Sequence, residues 1–209
     1  MLQLKHQTLK YKRVTRRLMT LSAVCALASF AFGCASAPSR FYTLSATPTP
    51  AATPANLSVI VGPVSVPAVV DRPQFVVDLG PNQVRIDEFN RWAAPLQNSI
   101  ARVVADNLVQ MLGTPRLISS AQILIGDADY RAAIDVQNFQ STLGEAAVLE
   151  AVWTVRRTKD GKAETGRTSA RETVQAKDYD ALAAAHSRAL ARLSQDIANA
   201  VRALDRSAL

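Results

Sequence analysis

The side chains able to act as nucleophile, base or metal ligand are few and poorly placed for catalysis. The chain has two histidines, His6 and His186, and two cysteines, Cys25 and Cys34. Three of these four lie in the first 34 positions, where a cationic stretch runs into an apolar one. His186 is therefore the one imidazole of the body of the chain, within a helical pattern where a surface or boundary histidine is expected rather than a base or ligand. A serine triad lacks its supports, no His and Cys stand at zinc spacing, and no Gly-rich phosphate loop occurs. Gly126-Asp127-Ala128-Asp129 lacks the further ligands of a calcium loop, so Asp127 and Asp129 read as caps where a strand begins. Carboxylates are plentiful, but nothing pairs them for glycoside-type acid and base work. The expectation is no catalytic residue, no metal and no cofactor.

Charge removes a second class. The formal charge of +7 comes from 24 basic and 17 acidic residues, and six of the basic ones (Lys5, Lys10, Lys12, Arg13, Arg16 and Arg17) precede position 34, where no acid occurs. The remainder is balanced at 18 against 17. A body with no single-signed field has nothing to condense on phosphates, so nucleic acid is not an expected partner. The cationic segment followed by Leu18 to Phe32, too short for the roughly 20 residues of a spanning helix, has the form of an export signal.

At the end of that signal, Ala31-Phe32-Gly33-Cys34 resembles the lipobox of bacterial lipoproteins, the match resting on Gly33 and Cys34. The resemblance implies cleavage before Cys34 and acylation of its sulfur. Each buried methylene contributes about 0.8 kcal/mol, and two or three acyl chains hold where one holds only marginally. Cys25 follows the bulky Val24 inside the apolar core and fits worse. With Cys25 removed and Cys34 acylated no thiol remains, so the mature fold has no disulfide. Ala35 in place of the Asp that signals inner-membrane retention in enteric bacteria implies the outer membrane.

Cleavage after residue 33 of 209 leaves 176, enough for one domain. The expected division is a signal peptide over 1–33, a lipidated N-terminus, short strand and Pro/Ala/Thr-rich linker over 34–56, and a single domain over 57–209. Residues 45–56 (SATPTPAATPAN) bury nothing and read either as an extended tether of about 35 Å or, since Arg40 to Leu44 looks like a strand, as a loop within the fold. Leu57 to Val66 predicts a strand with a bulge at Gly62-Pro63, and Gln74 to Leu79 and Val84 to Phe89 predict a hairpin. Leu96, Ile100, Val103, Val104, Leu108 and Met111 form one stripe of an amphipathic helix, with Pro95 suited to its first turn and Gly113 to its end. Ala128 to Gln140, with Tyr130, Ala132, Ile134, Val136 and Asn138 on one parity, and Glu145 to Thr158 predict longer strands. Asp160-Gly161 turns into the polar run Ala163 to Gln175, expected at an edge or facing solvent. Leu182, Ala189, Leu193, Ile197, Val201 and Leu204 mark a C-terminal helix. The fold class is α+β, a mostly antiparallel sheet with both helices on one face.

The series Phe41-Tyr42-Thr43-Leu44, Val61-Gly62-Pro63-Val64-Ser65-Val66-Pro67, Asp71-Arg72-Pro73-Gln74 and Asn90-Arg91-Trp92-Ala93-Ala94-Pro95-Leu96 resembles the PqiC group of auxiliary lipoproteins over residues 34 to 113. The resemblance implies an outer-membrane component of an ABC-type system built around a mammalian-cell-entry (MCE) protein, which moves lipid across the envelope. It assigns no chemistry. Two different classes compete with it: a structural or regulatory lipoprotein of other envelope machinery, and a periplasmic lipid hydrolase. Candidate partner-binding residues are Asp71, Arg72, Arg91 and Trp92. Arg91 and Trp92 have the residue types of interface hot spots, while Trp92 could equally staple the helix start to the core. Asp71-Arg72 reads as a docking loop or as an internal ion pair. Ala183-Ala184-Ala185 offers a smooth helix side on which a second copy could pack.

Overall fold

The computed structural model describes residues 37–47, 57–114, 116–118 and 128–207. Residues 1–36, with Cys25 and Cys34, lie outside the described residues, as do 48–56 and Asp127. The body of the chain is one compact unit, Ser39–Leu209. In chain order it contains β1 (Arg40–Tyr42), β2 (Ser58–Ser65), β3 (Gln74–Gly80), β4 (Gln83–Trp92), α1 (Leu96–Leu112), β5 (Arg116–Ile118), β6 (Tyr130–Thr142), β7 (Ala146–Arg157), β8 (Ala163–Thr173) and α2 (Tyr179–Arg206). The architecture is α+β, as expected, with two sheets. A five-stranded sheet runs β5-β2-β6-β7-β8, and a three-stranded one runs β1-β4-β3.

Both sheets are mixed. The hairpins β3–β4, β6–β7 and β7–β8 are antiparallel, while β1–β4, β2–β5 and β2–β6 are parallel. The parallel partners of β2 lie beyond α1, and β1 and β4 are separated by β2 and β3, so the parallel pairs belong to long connections that local hydrophobic patterning does not report. The polar strand β8 is the expected edge.

Helix α1 begins after Pro95 and ends at Gly113, whose φ of 64° is the left-handed conformation that glycine adopts without steric cost. Asp178 caps α2, its carboxylate accepting from the Ala181 amide at 2.7 Å. The two helices pack on each other and on one face of the large sheet, α1 over β2 and α2 over β7 and β8. Asp129 does cap a strand start: its carboxylate accepts from the Ser58 amide (2.7 Å) and hydroxyl (2.8 Å), fastening β2 to β6.

The expected parity of β6 holds only to Val136. A bulge between Val136 and Asn138 shifts the register. The extra residue turns Asn138 away from the core side and carries Phe139 and Ser141 inward, both buried.

The segment after β1 is part of the unit. Leu44 is fully buried, the Ser45 amide donates to the Ser187 hydroxyl at 3.1 Å, and the Thr47 amide donates to Asn107 at 3.0 Å. Leu44, Ser45 and Thr47 are thus held against the two helices of this unit. The alanine side of α2 meets this same segment: Ala183, Ala184 and Ser187 line a groove against residues 41–47.

Candidate partner-binding site

Two backbone hydrogen bonds bring the distant motif segments together. The Trp92 amide donates to Pro73 O at 2.7 Å, and the Ala93 amide to Tyr42 O at 2.9 Å. A turn at Pro67, closed by the Val70 and Asp71 amides at 3.0 and 3.2 Å, delivers Asp71-Arg72-Pro73 to that junction. Beneath it lies an aromatic cluster, with Phe75 stacked on Trp92 at 4.0 Å and in edge contact with Tyr42 and Tyr179. Such pairs contribute about 0.5–1.5 kcal/mol each beyond their burial. Trp92 is 6% exposed, so its indole staples the start of α1 to the core.

Over this floor Asp71, Arg72, Pro73 and residues 92–96 line a groove of about 340 Å³. Its apolar wall is Pro73, Ala93, Ala94 and Pro95. Its rim carries the exposed Asp71 carboxylate. The Arg72 Nε is buried without a hydrogen-bond partner, and the first turn of α1 has no side-chain cap on its N–H groups. The arrangement offers an apolar wall bordered by the Asp71 carboxylate and the uncapped start of α1. Among the described residues no ion pair joins Asp71 to Arg72. Three of the four candidate residues, Asp71, Arg72 and Trp92, thus share one groove. Arg91 does not line it: its Nε donates to Glu88 O at 2.9 Å, and its guanidinium stands 3.6 Å from the Glu88 carboxylate. Sequence reasoning passed over Pro73, Ala93, Ala94 and Pro95, although they stand inside the quoted motifs. Small residues and prolines carry no reactive group, and their value here is the shape they leave.

Under the cluster, Tyr179 donates to Asp87 at 2.6 Å. Burial pushes the Asp87 carboxyl upward, but hydrogen bonds from Tyr179, Asn90 and Phe89 together outweigh it and hold the group below its ordinary range. Burial first, and then Asp87, raise the Tyr179 phenol.

One nucleophile and base do meet. The Ser141 hydroxyl lies 2.8 Å from His186 Nε2. His186 is not at the surface or a boundary, as its sequence context suggested, but 0% exposed and stacked on Phe139 at 3.9 Å. It falls on the stripe of Leu182 and Ala189, at helical spacing from both, so the buried side of α2 includes it. Burial lowers its pKa to about 3, which keeps the imidazole neutral. Ser141 is 2% exposed, and His186 Nδ1 has no partner, so neither substrate access nor an orienting acid serves the pair. Among the described residues no group of His, Cys, Asp and Glu is arranged to hold a metal ion, and no helix is long and apolar enough to cross a membrane.

The model of the family described as ABC-type transport auxiliary lipoprotein component matches residues 42–198. Two solved structures are similar in fold. A Xanthomonas campestris protein of the DUF330 family has a TM-score of 0.66 at 20% identity, covering 83% of this chain and 100% of its own. The crystal structure of an uncharacterized protein has a TM-score of 0.66 at 21% identity, covering 79% and 99%. A search of curated proteins returned no match. With three quarters of its length matched, including the PqiC-like segments zipped together above, the chain belongs to the family of ABC-type transport auxiliary lipoprotein components, envelope-associated proteins of transport complexes.

Proposed function

We propose that the chain is a non-enzymatic lipoprotein, anchored through acylated Cys34 to the periplasmic face of the outer membrane, that docks the MCE-domain protein of an ABC-type lipid transporter. The observation that carries this reading is the convergence of Asp71-Arg72-Pro73 and Arg91-Trp92-Ala93-Ala94-Pro95, segments that resemble PqiC, at one groove. Residues that resemble a family and serve no core purpose, such as the exposed Ala93, Ala94 and Pro95, are explained by contact with a partner. A segment of the MCE protein presenting an apolar side chain fits the groove's wall of Pro73, Ala93, Ala94 and Pro95. The sealing of Ser141 and His186 supports a binding role over a hydrolytic one. The anchor is the fixed end of this arrangement, and Ala35 after it favours the outer membrane.

Two experiments test the reading. Metabolic labelling with a fatty-acid analogue marks the wild type and not Cys34→Ala; equal labelling overturns the anchor. Co-purification from envelope extracts recovers an MCE protein with the wild type and loses it with Arg72→Ala paired with Ala94→Glu. Recovery of none by the wild type overturns the partner.

A further inference from the structure

The three-stranded sheet carries a feature that partner docking at the groove does not use. Among the described residues six large apolar side chains are exposed, and five of them stand on this sheet or beside its turn: Phe41 (62%), Leu79 (51%), Phe89 (45%), Val84 (44%) and Ile86 (39%). Val84 and Ile86 alternate along β4 with Arg85 and Asp87, which both reach Tyr179 on the inner side. They therefore face outward, away from the aromatic cluster. Scattered apolar groups on a surface need no explanation, but this concentration on one small sheet does.

The direction of the chain says what lies opposite. Strand β1 runs parallel to β4, with Arg40 beside Asn90 and Tyr42 beside Trp92. Strand β1 itself thus runs away from the β3–β4 turn, with Arg40 at the end nearer to Phe89 and Tyr42 at the end nearer to the groove. Cys34 precedes Arg40 by six residues, a stretch that spans at most about 20 Å when fully extended. An acyl anchor at Cys34 therefore keeps Arg40, and the small sheet that β1 belongs to, within about that distance of the bilayer.

We infer that the outer side of β4, with the β3–β4 turn, Phe41 and Phe89, is a membrane-resting surface that seats the domain on the lipid to which Cys34 anchors it. The inference rests on the reading of Cys34 as acylated. Aromatic and aliphatic groups at the turn and the sheet end enter the interfacial layer, while the Arg91–Glu88 pair remains at headgroup level. Seated in this way, the domain holds a fixed orientation, and the groove at Trp92 and Pro95 faces away from the membrane toward the periplasm.

The test uses the acylated full-length product, reconstituted in phosphatidylethanolamine/phosphatidylglycerol vesicles, with nitroxide labels on Val84→Cys, Ile86→Cys and, as a control on the edge strand β8, Arg171→Cys. The expected result is that labels at 84 and 86 collide with lipid-dissolved oxygen and lose access to a water-soluble nickel chelate, while the label at 171 keeps that access. Labels at 84 and 86 that are as open to the chelate as the one at 171, on protein that floats with vesicles and carries the acyl mass, overturn the surface and leave the anchor intact. Labels at 84 and 86 shielded from both quenchers also overturn it, in favour of a second copy covering the sheet. Protein without acyl mass that fails to float overturns the anchor, and this inference with it. Circular dichroism of each variant confirms that these exposed positions leave the fold unchanged.

Discussion

The five-stranded sheet with its two helices and the three-stranded sheet beside it solve opposite problems. In the large layer most of the buried polar side chains pair within the protein, His186 Nδ1 excepted. Trp153 donates to Thr168 at 3.0 Å, Thr168 donates to Asp196 at 2.6 Å, and Arg157 binds both Asp160 oxygens and the Leu204 carbonyl. Asp160 is held well below the usual carboxylate range, chiefly by its hydrogen bond from Arg157. In the small sheet the inner side is closed by aromatics and the other side is closed over β3, where Val76 is buried and Asp78 accepts from the Ser141 amide, but β4 leaves Val84 and Ile86 exposed there. One layer is largely closed on itself, and the other leaves apolar side chains open to its surroundings.

Substitutions can break that contrast at several scales. Trp92→Ala removes the side chain that serves both regions and should lower stability by roughly 3–5 kcal/mol in chemical denaturation, as large aromatic truncations in cores do. Gly166 lies directly opposite Trp153, and a Cβ there would come within 2.2 Å of the indole. Gly166→Ala should therefore cost about 1–3 kcal/mol by overpacking, seen as a lower denaturant midpoint.

His186 sharpens the comparison through pH. Its folded pKa is near 3 against an unfolded value of 6.5, so between those limits the unfolded chain binds a proton that the folded chain excludes. Stability is intact above pH 6.5 and falls as pH drops toward 3, by at most about 1.4 kcal/mol per unit. His186→Phe should flatten that slope in pH-dependent thermal melts. At the small end, Val84→Ser with Ile86→Ser should change stability by less than about 0.5 kcal/mol, because exposed positions away from core features rarely matter to folding. A large loss would mean that the outer side of β4 is part of the core.

Much of this was legible in the residues, for reasons specific to each element. Helix α1 announces itself by an unbroken stripe between Pro95 and Gly113, and the β3–β4 hairpin by its Gly80-Pro81-Asn82 turn. The bulge at Val136 was not legible, since one extra residue leaves no local mark yet reverses every side chain after it. The burial of His186 was legible on the α2 stripe, but the polar ring argued for the surface. The groove is the least local feature of all. It depends on Tyr42, Pro73 and Trp92 meeting across up to 50 residues of chain, which no periodicity encodes.

The central claim is that the groove at Arg72 and Trp92 receives the MCE-domain partner. A photo-crosslinking residue placed in cells at Ala94, on the groove wall, tests it against the same residue placed at Glu164 on the edge strand β8. The account predicts an adduct with the MCE protein from position 94 and none from 164; no adduct at 94, or equal adducts at both, would contradict it.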